Sequence, residues 1–439
     1  MSMEHKAPKR IATAVLGSLK GGVVPRVGLE YITVGRTAEI DALLRDVDVI
    51  ADGGAAFRFI VGRYGAGKSF LLQTIRNHVM ERQFAVLDCD LSPERRFCGA
   101  KGQGLATYKE LVRNMSVRTK PDGGALPLVL EKWLSGVQTQ VIDSGTMPNM
   151  PGFETAVQQR IYAVIHAMED MVNGFDFGKA IAAYWQAGRN GDEEKKSQVL
   201  RWLRGEFSTK TEATRALGIH LIVTDENWYD FLKLFAAFLV QVGYKGMLIM
   251  VDELVNIYCI PHRVTRQYNY EKILAMYNDT LQGKASHIGM LMCATPQCLE
   301  DTDKGIFSYD ALRSRLTEGR FSNPGTRDLL APIIRLEPLT YEELMVLAEK
   351  LAALHAHLYD YTSDIRPEEY VAFLKAEFER IGASTHITPR EVIRDFVELL
   401  NIVWQNPGRR IGEILREGGF DFAGGTEEGI HTEFAAFEV

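Results

Sequence analysis

An α/β fold built on a parallel sheet is what the sequence predicts, and three observations carry the prediction. Short apolar runs at residues 57–61, 84–90, 246–251 and 287–294 alternate with stretches of helical periodicity. A glycine-rich turn, Gly62-Arg63-Tyr64-Gly65-Ala66-Gly67-Lys68-Ser69, separates the first run from a helical one. The third run ends in two acids, Asp252 and Glu253. Strands without polar alternation belong to a sheet covered by helices on both faces.

Residues 1–30 contain Gly and Lys and read as an N-terminal tail leading into Tyr31-Ile32-Thr33-Val34-Gly35-Arg36. A helical pattern follows, with Glu39, Ile40, Leu43, Leu44 and Val47 on one face. The core begins here, over residues 31–99, and contains the glycine turn. A strand, a G-x-x-x-x-G-K-[ST] loop and a helix in succession form a phosphate cradle. Its backbone N–H groups, aimed by the positive end of the helix, hold nucleotide phosphates. The spacing therefore assigns Gly62 to Ser69, together with Phe70, to binding a nucleoside triphosphate with Mg²⁺. Lys68 would reach the β and γ phosphates, and the Ser69 hydroxyl would ligate Mg²⁺. The bland alternative, a glycine turn before a helix, does not account for the strand–loop–helix context.

Residues 100–225 read as a helical insertion, with loops at Gly123-Gly124, Gly145 to Gly152 and Gly188 to Asp192. The core resumes over residues 226–339. From Thr340 the pattern is helical throughout, which predicts a small helical lid domain over 340–417. A Gly-rich, acidic tail occupies 418–439.

The 439 residues are 46% hydrophobic and 24% charged, the composition of an ordinary globular protein able to bury a large core. A net charge of −7 does not advertise nucleic acid over the whole surface, and Lys6, Lys9 and Arg10 read as a solvated basic tail. Five scattered cysteines without a C-x-x-C pair argue against a disulfide framework and a structural zinc site. The longest apolar run, around 231–242, is too short to span a bilayer, so no membrane partner and a cytoplasmic location are expected.

Around the phosphates, Asp252 would hold Mg²⁺ through its water shell, and Glu253 would orient and deprotonate the attacking water. A water-activating carboxylate favours hydrolysis over transfer to a second substrate. Thr295, ending the next strand, would bond the γ-phosphate or the lytic water; alternatively it only terminates the strand before Pro296. Arg313 and Arg315 lie just beyond, and either would complete the site of a neighbouring subunit, unless engaged by Asp310 or the backbone. Thr388 and Pro389 open a helix as N-cap and first residue. Arg390 beside them stands where the helix dipole disfavours a cation, which suits an anion-binding task. Arg263, Arg266, Tyr268, Tyr270 and Lys272 interleave as a single-strand nucleic-acid surface would, although a helix packing its tyrosines inward is the weightier reading.

In this order the motifs resemble the AAA+ ATPase superfamily. The loop, Asp252-Glu253, Thr295, Arg313 with Arg315, and Arg390 fall where Walker A, Walker B, sensor 1, arginine finger and sensor 2 would fall. Thr295 stands where many members carry Asn. Val34-Gly35-Arg36 with Glu39 is similar to a motif of initiator-type members that flanks the adenine, which implies nucleotide contacts at Gly35 and Arg36. Further segments resemble the ATP-binding proteins of BREX-type phage-defence islands. These are Ala216-Leu217-Gly218-Ile219, Glu226-Asn227-Trp228-Tyr229, Gly243-Tyr244-Lys245-Gly246, Met276-Tyr277-Asn278-Asp279 and Phe307 to Leu316. The resemblance runs over about residues 32–404 and implies an ATP-dependent component of an anti-phage system, often encoded beside a large helicase. The expected function is an oligomerising AAA+ ATPase that hydrolyses ATP to remodel a defence complex, on or with DNA. The rival is a slow-hydrolysing, nucleotide-gated adaptor that recruits a helicase or another defence partner. No complete winged-helix domain follows the lid, which weakens direct sequence-specific DNA reading.

Overall fold

Strands β1 (Ala55–Val61), β2 (Phe84–Asp90), β3 (Gly246–Asp252), β4 (Ile288–Ala294) and β5 (Ile333–Arg335) form one sheet in the order β2-β3-β4-β1-β5. The computed structural model describes residues 7–166, 168, 170–317, 319, 327–381 and 388–417. The expected tail at 418–439, and Lys6 of the basic N-terminal patch, lie outside the described residues. β1 pairs parallel with β4, β4 with β3, and β3 with β2. Because β4 lies between β1 and β3, these neighbours are joined by crossovers rather than hairpins. All of β4, and all of β3 except Asp252, is buried, as a sheet covered on both faces requires. The four apolar runs of the sequence are thus four strands. β5 has only three residues, too few to show a periodicity.

Two compact units share the chain. The sheet unit comprises Asp41–Val61 and Ile75–Ile334. Arg58 interrupts the apolar run of β1 because its guanidinium forks onto both Asp46 oxygens, at 2.6 and 2.7 Å, and also donates to the Leu330 carbonyl at 2.6 Å. The insertion is helical, with Gln103–Arg113, Leu126–Asp143, Phe153–His166, Gly174–Asn190, Glu193–Leu203 and Lys210–Leu217. Its core is continuous with that of the sheet. Trp133, Phe177 and Trp202 meet Phe238, Phe235 and Phe231 of the helix Trp228–Gln241 edge-on, with centroids 5.2, 5.3 and 5.5 Å apart. Buried Cys89, Cys293 and Cys298 form no disulfide and lie within the interior.

The second unit comprises Met1–Ile40, Gly62–Thr74 and Arg335–Val439. Part of the expected N-terminal tail is a helix, Lys9–Lys20, which buries Ala12, Val15, Leu16 and Leu19 at helical spacing. These residues share a core with Leu347 and Leu351 of the helix Tyr341–Leu358 and with Phe396 and Leu400 of the helix Pro389–Gln405. Capping boxes start both C-terminal helices, Thr340 with Glu343 and Thr388 with Glu391. No described helix is long and apolar enough to cross a membrane.

Gly35 links the N-terminal segment to one of these boxes. Its φ of +69° suits glycine, and a Cβ there would lie 2.4 Å from Glu343 Oε1. Glu343 accepts from the Thr340 N–H at 2.9 Å, so it cannot swing away without losing the cap. Gly35→Ala is expected to destabilise this unit by about 2–3 kcal/mol, combining left-handed strain with a lost cap. Urea unfolding measures it, and an unchanged midpoint would refute the account.

Candidate nucleotide-binding site

The chain leaves β1 at Val61 and enters the glycine loop directly, then the helix Lys68–Glu81. Gly65 and Gly67 adopt φ of +79° and +92°, a path that side chains resist. The helix opens with the Leu71 N–H donating to Gly67 O at 2.9 Å and carries no acid in its first turn, leaving its positive end uncancelled. Lys68 Nζ donates to the carbonyls of Gly62 and Arg63, both at 2.8 Å. The ammonium is therefore held over the loop it follows.

Two further groups converge on that loop within the same unit. Arg36 is 5% exposed and donates to the Ala66 carbonyl at 3.2 Å and to Glu337 O at 2.8 Å, with Glu39 3.7 Å away. It braces the loop from behind the N-terminal motif. From the other side, Arg390 Nη1 donates to the Tyr64 hydroxyl at 2.9 Å. Thr388 packs against Gly65 so closely that a Cβ there would lie 2.7 Å from the Thr388 Cβ.

In the sheet unit, the parallel register aligns the carboxyl ends of the strands, with Val61 opposite Ala294 and Asp90 opposite Asp252. That edge is where open α/β sheets bind ligands. Asp252 ends β3, and its Oδ1 accepts from the Glu253 N–H at 2.8 Å. Glu253 is exposed and left-handed, φ +61°. Asn256 donates to Leu91 O at 2.9 Å and to Glu253 O at 3.2 Å, tying the turn to the end of β2. Burial, then repulsion from Asp252, Asp88 and Glu253, raises the Asp90 carboxyl above its ordinary range. The edge is electronegative and suits a cation. Among the described residues no group of three or more His, Cys, Asp or Glu is placed to hold a metal ion. Mg²⁺ riding on phosphates does not need one, since phosphate oxygens and water fill most of its octahedron.

Thr295 Oγ1 accepts from the Cys298 N–H at 3.2 Å and caps the short helix Pro296–Glu300. Arg313 pairs with Asp310 at 2.7 Å, while Arg315 Nη1 donates to Ala311 O at 2.7 Å. Each engagement that the sequence left open is thus met, by a different arginine. Of the interleaved stretch after Glu253, Arg266 and Tyr270 pack inward and Arg263 and Tyr268 face outward. Sequence reasoning passed over Asp90 and Asn256, although the run 84–90 ends in Asp88-Cys89-Asp90.

A parallel sheet whose first strand runs into a phosphate loop, with an Asp-Glu pair ending the strand two places away, defines a P-loop nucleotide-binding protein. The family model described as BREX system ATP-binding protein BrxC/D matches residues 7–418. The chain belongs to that family, which ties it to ATP and to the BREX phage-defence system. No curated protein shows significant similarity to it.

Proposed function

We propose that this chain is an AAA+ ATPase that hydrolyses ATP to remodel a BREX defence complex, acting as a homo-oligomer in the cytoplasm on or with DNA. The observation that carries the reading is the pairing, on one sheet, of a phosphate loop after β1 with an exposed carboxylate, Glu253, immediately after β3. The loop amides and Lys68 bind the triphosphate. Ser69 and Asp252 hold Mg²⁺, which when bound neutralises phosphate charge. Glu253 orients water and accepts its proton. Thr295 bonds the γ-phosphate or that water through its hydroxyl proton, which the cap to Cys298 leaves unused. Arg313 or Arg315 of one subunit stabilises the phosphoryl charge in the next, and Arg390 contacts the γ-phosphate. Residues 340–417 act as the lid.

A slow-hydrolysing adaptor that recruits a helicase or another defence partner is the second reading. It is favoured by the Asp310 ion pair, which occupies one of the two arginines. ATP turnover against protein concentration, with and without DNA, separates the two. The first reading expects a rate per subunit that climbs with concentration and is lost in Lys68→Ala together with ATP binding. A flat, near-zero rate with tight ATP binding supports the adaptor.

A further inference from the structure

We propose that Tyr64 is a positioning residue that holds Arg390 at the phosphate loop, and that this pair makes the loop favour ATP over ADP. The proposal rests on the nucleotide reading above.

Tyr64 occupies a position where the phosphate-loop pattern leaves the residue type open. It is 69% exposed, so its ring contributes little to any core. Its partner is instead Arg390, which donates to the phenol oxygen at 2.9 Å. The same guanidinium carbon lies 5.0 Å from the ring centroid, within the reach of a cation–π attraction. A second contact fixes the approach independently, since Thr388 rests on Gly65.

The base of Arg390 is rigid. Pro389 fixes the backbone at the first helical position, and Thr388 and Glu391 close a capping box around it. Arg390 lies in the first turn, where the helix dipole repels a cation. The tyrosine offsets that repulsion and decides where the charge rests. An arginine so held stands ready for a terminal phosphate, which ATP has and ADP lacks. The loop amides and Lys68 serve both nucleotides. Losing Tyr64 therefore weakens ATP selectively.

The test is calorimetric titration of the full chain with a non-hydrolysable ATP analogue and with ADP, each with Mg²⁺. Tyr64→Ala is expected to weaken the analogue about fivefold to tenfold and ADP less than about twofold. Tyr64→Phe keeps the ring but loses the phenol oxygen, and is expected to recover part of the loss. If Tyr64 acts through Arg390, the double variant Tyr64→Ala/Arg390→Ala binds the analogue no more weakly than Arg390→Ala alone. Additive losses, or equal losses for the two nucleotides, overturn the proposal and leave the nucleotide reading standing. A wild-type chain that binds neither nucleotide overturns both.

Discussion

Replacing Glu253 with Gln is expected to slow ATP turnover by about a hundredfold or more while ATP affinity stays near wild type. Gln keeps the shape and one acceptor but cannot take a proton from water. The backbone supplies independent support for a functional task. A left-handed non-glycine residue costs roughly 1–2 kcal/mol, and Glu253 occupies that region with φ of +61°. It is exposed, so packing does not demand a glutamate there. The conformation is sustained by the N–H bond to Asp252 and by Asn256, which donates to the Glu253 carbonyl. Strain of this kind gathers where function fixes a side chain against local preference. Glu253→Gly is therefore expected to be more stable than wild type by about 0.5–1 kcal/mol, the strain relieved less the entropy of a glycine in the unfolded chain. Turnover should vanish in the same variant. Thermal melting beside an ATPase assay reads both effects, and a Glu253→Gly chain that melts earlier or still turns over refutes the account.

Residues acting through local chemistry were legible in the sequence, and those acting through distant partners were not. The phosphate loop was readable because its backbone path admits glycine at Gly65 and Gly67 and little else. β3 was readable because a strand buried on both faces has no polar alternation to confuse it. The Lys9–Lys20 helix was passed over although Ala12, Val15, Leu16 and Leu19 recur at helical spacing, because the Gly and Lys residues in and around it read as a tail. That face acquires meaning only against Leu347, Leu351 and Phe396. The insertion showed its helices but not that its aromatics join the core of the sheet, since Trp133 meets Phe238 across a long stretch of chain. Tyr64 and Arg390 are 326 positions apart, and no periodicity connects them. Glu253 was identified by its carboxylate, but its backbone conformation is set by Asp252 and Asn256 in three dimensions.

Arg36 separates a direct nucleotide contact from a structural brace. Resemblance alone implies that it flanks the adenine, whereas its hydrogen bonds run to the carbonyls of Ala66 and Glu337. Arg36→Ala removes a guanidinium from a site only 5% exposed, beside Glu39, which is 2% exposed. Breaking a buried ion pair from one side typically costs about 3–5 kcal/mol, because the remaining charge stays in low dielectric. A loss of about that size is expected in denaturant unfolding. Affinity should fall as well, because Ala66 lies inside the phosphate loop and loses an anchor there. Arg36→Lys presents one compact donor group instead of a planar fork, so it should recover only part of either loss. The pattern across nucleotides then decides. A brace acts on the phosphates, so Arg36→Ala should weaken ATP and GTP by similar factors at a temperature where the variant is folded. A direct adenine contact would weaken ATP and leave GTP unchanged, and that outcome would return Arg36 to the base. Gly35→Ala is the internal control: it disturbs the neighbouring turn and the Glu343 cap without removing the bond to Ala66. It should lower stability with a smaller effect on either nucleotide.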